Sequence, residues 1–91
     1  MPTIIYTILK EYFVDIHAHP VKARIMSPVN DNKVFVFQTN LYYKNKGQSD
    51  PNQPASTFTS FPNAERHLLQ YLEEFQNTLD LGGDVAPGAK F

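Results

Sequence analysis

Y-F-V-D-I-H-A-H-P, residues 12–20, is the stretch whose reading decides the fold. Read at period two it is a strand, with Tyr12, Val14, Ile16 and Ala18 on one face and Phe13, Asp15, His17 and His19 on the other. Pro20 then ends the strand or marks a sheet edge, because proline cannot donate to a ladder. Upstream, residues 3–9 set Ile5, Thr7 and Leu9 against Ile4, Tyr6 and Ile8. Both faces being largely apolar predicts a central or doubly covered strand, interrupted by Lys10 and Glu11.

Downstream the alternation continues. Val21, Ala23 and Ile25 point inward, and Lys22 and Arg24 outward, over residues 21–26. Residues 27–32, S-P-V-N-D-N, have turn chemistry. Residues 33–43, built on V-F-V-F-Q-T, carry the strongest strand signal. Val34 and Val36 oppose Phe35 and Phe37, and so apolar a run would aggregate if exposed, which predicts an interior position.

Residues 44–60 change to polar and chain-breaking types, which predicts a long loop, with residues 56–59 as an optional short edge strand. One helix follows, with Ser60 as N-cap, Asn63 as the rival cap and Pro62 in the first turn. Phe61, Leu68, Leu72, Phe75 and Leu79 recur at helical spacing, widened by Tyr71, until Gly82 and Gly83 close the helix. The expected architecture is one α+β domain over residues 1–81. It has an antiparallel sheet of about four strands in β-β-β-β-α order, one C-terminal helix on one sheet face, and a flexible tail at 82–91.

Composition narrows the function. The 91 residues contain no cysteine, which excludes disulfide scaffolds, thiolate metal sites and cysteine nucleophiles and fits a cytoplasmic setting. No apolar run reaches the length needed to cross a bilayer, and no leader pattern opens the chain, so no membrane partner is expected. Eight basic and nine acidic residues give a net charge of -1, without the basic excess of duplex binders.

Residues 13–20 resemble the first-strand D-x-H-x-H metal motif of amidohydrolase-type hydrolases. The resemblance implies His17 and His19 as metal ligands, and Asp15 could complete a local zinc set. That family's barrel needs about 250 residues, however, and its further ligands come from later strands. The expectation is therefore no cofactor and no catalysis, with Asp15, His17 and His19 as the polar face of a strand. A second alternative is single-stranded nucleic acid held by Arg24, Tyr42, Lys44 and Lys46 through charge and stacking. No phosphate loop, nucleophile elbow or calcium loop is present.

The favoured reading follows from coverage. A single helix is narrower than four strands, so one sheet face stays open. Aromatic residues on that face would mark a contact with another protein or with a second copy in a homodimer. The candidates are Phe13, His17, His19, Phe35, Phe37 and Tyr43, with the 44–60 loop adding specificity. The chain is thus expected to be a small regulatory or accessory protein.

Overall fold

A computed structural model describes residues 4–31, 33–53 and 57–88. Its elements are β1 (Tyr6–Ile16), β2 (His19–Pro28), β3 (Val36–Thr39), β4 (Leu41–Lys44), α1 (Phe61–Asp80) and β5 (Asp84–Pro87). Strands β1, β2 and β3 form an antiparallel sheet in that order, and β4 pairs antiparallel with β5. The α+β class and the single helix packed against the sheet agree with the sequence pattern.

Residues 12–20 are not one strand. Ile16 stands opposite His19, so the chain reverses through His17 and Ala18. Both have positive φ, 50° and 65°, the signature of a two-residue type I′ hairpin turn. Such turns favour Asn-Gly, whereas a side-chain-bearing residue in this region costs about 1 kcal/mol. Pro20 therefore sits inside β2, opposite Asp15. It is tolerated because the β3 ladder begins only at Ala23. Asn40 extends the ladder instead: its side-chain oxygen accepts from the Lys22 amide at 2.7 Å, and its own amide donates to the Lys22 carbonyl at 3.0 Å.

Lys10 and Glu11 do not interrupt the first strand either. The register slips one residue earlier, at Leu9, where Ile8 faces Met26 and Lys10 faces Ile25. This bulge resets which side chains share a face. Lys10 and Tyr12 pair across from Ile25 and Ala23, both in the helix-side core. Ile8 and Tyr6 pair with Met26 and Pro28, on the opposite face.

The continuous 33–43 strand also divides. Asn40 separates β3 from β4, and the two belong to different sheets. The tail expected to hang free supplies β5, while residues 89–91 lie outside the described chain. Its path is set by the helix end. Leu81 caps α1, and Gly82 (φ 92°) donates to the Leu79 carbonyl at 3.1 Å and Gly83 to that of Thr78 at 2.9 Å, a Schellman closure. A Cβ on Gly83 would come within 2.5 Å of the Lys44 carbonyl, so only glycine lets β5 turn back along β4.

Helix α1 starts as its sequence dictates. The Ser60 side chain accepts from the Asn63 amide at 3.3 Å, and Pro62 lies in the first turn. Ala64, Leu68, Tyr71, Leu72, Phe75 and Leu79 are buried against Ile16, Val21, Ala23, Ile25, Phe37 and Tyr43. Rings line this seam: Tyr43 lies 5.0 Å from Tyr71 and 5.5 Å from Phe75, and Phe37 stacks on Phe58 at 5.6 Å.

Candidate protein-interaction surface

The helix is anchored at two points, one on β1 and one in the turn that follows it. Near its start, Glu65 accepts from the Lys10 ammonium at 2.8 Å and from the Tyr12 hydroxyl. At its end, Asp80 meets the His17 imidazole Nε2. Between these anchors β1 is roofed, and Tyr12, Val14 and Ile16 join the core. Residues 4–9 project beyond the roof. Ile4, Ile5, Tyr6, Ile8 and Leu9 are all exposed, Ile5 by 64%.

On the uncovered face, Tyr6 and Ile8 continue toward Glu11 and Phe13 past the bulge. Phe13 is 61% exposed and stands opposite Lys22, while Glu11 stands opposite Arg24. Arg24 donates to the Gln38 side chain at 2.9 Å. An open depression of about 510 Å3 lies at Glu11, Phe13, Lys22 and Arg24. The surface is thus an apolar end beside a charged, ring-bearing middle, and β1 is paired on one edge only among the described residues.

The structure redistributes the other site residues anticipated from sequence. Phe37 and Tyr43 are buried in the seam under α1 and offer no contact surface. Phe35 is half-buried, edge-on to Phe61 and bridged to Phe58. Of the anticipated aromatic contacts, Phe13 alone is exposed. His17 lies in the turn and His19 opens β2, so they do not share a strand face with Asp15. Among the described residues no three His, Cys, Asp or Glu side chains gather as a metal site. Arg24 is on the three-stranded sheet, Tyr42 and Lys44 are on β4 of the other sheet, and Lys46 follows in a turn.

The 44–60 segment is pinned rather than loose where it is described. The Asn52 amide donates to the Tyr43 carbonyl at 2.8 Å, and the Tyr71 hydroxyl donates to the Asn52 carbonyl at 2.6 Å. Phe58 makes a single isolated bridge with Phe35 at the far edge of the sheet; where the anticipated 56–59 edge strand is described it amounts to that one bridge, and residues 54–56 lie outside the described chain. A cleft of about 320 Å3 remains between Asn52, Gln53 and the helix residues His67, Gln70 and Glu74.

Electrostatics support the anchoring. The His17 imidazole beside Asp80 holds its carboxyl below the usual range, and Lys10 and Tyr12 do the same for Glu65. Burial, with the Glu74 carboxylate in hydrogen-bond contact, pushes the Tyr43 phenol up to about 12, and burial raises Tyr71 further. These phenols stay protonated at neutral pH and serve as donors to Glu74 and to Asn52.

No protein-family model, curated protein or solved structure matches this chain. No helix among the described residues is long and apolar enough to cross a membrane.

Proposed function

We propose that the chain is a small interaction module, without chemistry of its own, that docks another protein chain through β1. The observation that carries this reading is the concentration of exposed apolar side chains. Six of the nine large exposed hydrophobics among the described residues fall within residues 4–13. Scattered apolar residues on a surface are ordinary, whereas a contiguous group is a feature of contact sites. Lys22, Arg24 and Glu11 beside Phe13 supply a polar rim of both signs around an aromatic anchor. The described part of the 44–60 loop, bridged at Asn52 to Tyr43 and at Phe58 to Phe35, lies away from β1 and would act separately.

The test is affinity capture with Phe13→Glu and Ile8→Glu variants whose thermal unfolding matches that of the parent. Loss of the captured partner in both variants supports docking through β1. Undiminished capture by both removes this surface from the account.

A further inference from the structure

We infer that the partner for residues 4–9 is a second copy of this chain, added antiparallel along the free edge of β1 with a two-fold axis at Tyr6. The inference rests on β1 being the docking element and names its occupant. Residues 4–9, I-I-Y-T-I-L, carry no charge and are rich in β-branched side chains. Their strand has a neighbour on one side only among the described residues, and all six residues are exposed. Sheet edges are normally defended by charge, proline or a bulge. Here the bulge falls on Leu9, the last residue of the apolar run, and the charge begins just after it at Lys10. The unprotected length is therefore the run itself.

Symmetry selects the register. When two copies of one strand pair antiparallel in a continuous sheet, the two-fold axis is normal to the sheet. Some residue must then face its own copy. With the axis at Tyr6, Ile4 faces Ile8 of the second copy and Ile5 faces its Thr7. This register pairs all of residues 4–8 with no charge opposite them, and it stops just short of the bulge. Moving the axis to Thr7 or Ile8 places Lys10 opposite Ile4 or Tyr6. Moving it to Lys10 or Glu11 sets like charge on like charge. At Tyr6, the Ile4, Tyr6 and Ile8 side chains of both copies form one apolar strip on the uncovered face, and Ile5 and Thr7 alternate on the other.

The exposed area sets the scale of the contact. From their exposures, Ile4, Ile5, Tyr6, Ile8 and Leu9 leave roughly 500 Å2 open per copy, and pairing along the edge covers only part of it because the side chains stand off the two sheet faces, so the contact falls below roughly 1,000 Å2 and the dimer is weak. New backbone hydrogen bonds along the paired edge add to this burial, as in strand addition generally. The product is a six-stranded sheet in the order β3-β2-β1-β1-β2-β3.

The experiment is sedimentation velocity on the full chain up to roughly 500 µM, a range that captures a contact of this size. The expected result is a concentration-dependent dimer. Tyr6→Lys sets two ammonium groups against each other at the axis and weakens it by about tenfold or more. Ile4→Lys and Ile8→Glu each weaken it alone, and combining them in one chain restores it, because the two positions face each other across the axis. Unchanged circular dichroism in each variant shows that folding is intact. A monomer throughout the range overturns self-pairing, while docking of a different chain is still decided by the Phe13→Glu capture assay. A dimer indifferent to Tyr6→Lys, or unrestored in the double variant, overturns the register.

Discussion

Residues 4–9 and residues 34–37 spell nearly the same message, I-I-Y-T-I-L against V-F-V-F, and meet opposite fates. Both are apolar on both faces. Phe37 is 3% exposed beneath α1, with Phe35 half-buried between Phe61 and Phe58, while Ile5 and Ile8 lie open. The difference lies in the reach of the helix rather than in the strands. Twenty residues of α1 give a rod of roughly 30 Å, and its salt link at Lys10 marks where the roof over β1 ends. Alternation reports that a strand has apolar faces; the length and anchoring of the neighbouring element decide which of them are covered.

Substitutions sharpen the contrast. Phe75→Ala removes a ring that is fully buried in the seam and is expected to cost about 3–5 kcal/mol in urea unfolding. Phe13→Ala, on the open part of β1, is expected to change stability by less than about 0.5 kcal/mol while weakening docking. Comparable losses at the two positions would break the distinction between roofed and open regions. Gly83→Ala tests the roof from its far end. Its Cβ has no space beside the Lys44 carbonyl, and a loss of about 1–3 kcal/mol with a loosened β5 is expected, seen as faster amide exchange at residues 84–87.

The turn between β1 and β2 gives a gain instead. Ala18→Gly relieves a left-handed residue and is expected to raise stability by about 1 kcal/mol, checked by the shift of the urea midpoint. The smallest effects are the pH dependences. Asp80 and Glu65 have lowered carboxyl affinities in the fold, so the stability they contribute is present above the ordinary carboxyl range near pH 4 and lost as pH falls through their folded values. Tyr43 has the opposite sign. Its raised phenol leaves stability unchanged below about pH 10 and loses it as pH rises toward 12, which an alkaline unfolding series reads directly.

These contrasts also explain what could be read from the residues. The helix was legible because its cap, its proline and its three-and-four spacing all agree locally. The hairpin turn was not: His17 and Ala18 lack the asparagine and glycine that normally announce a type I′ reversal, so V-D-I-H-A-H-P reads as a continuous strand. The Leu9 bulge was hidden beside the more conspicuous Lys10–Glu11 charge pair. Phe37 and Tyr43 read as surface aromatics because nothing in their own segments reveals that Tyr71 and Phe75 come to meet them. β5 is illegible in sequence because four residues carry too little periodicity, and its position follows from the glycine closure of α1. Residues 4–9 read as a covered strand because coverage is a tertiary fact, set by how far α1 reaches.

The most direct measurement is amide hydrogen exchange along β1 at low and high protein concentration. The account predicts that protection at residues 4–8 rises with concentration while Tyr12, Val14 and Ile16, already under α1, stay unchanged. Exchange at residues 4–8 that is indifferent to concentration would contradict a self-pairing edge at the open end of β1.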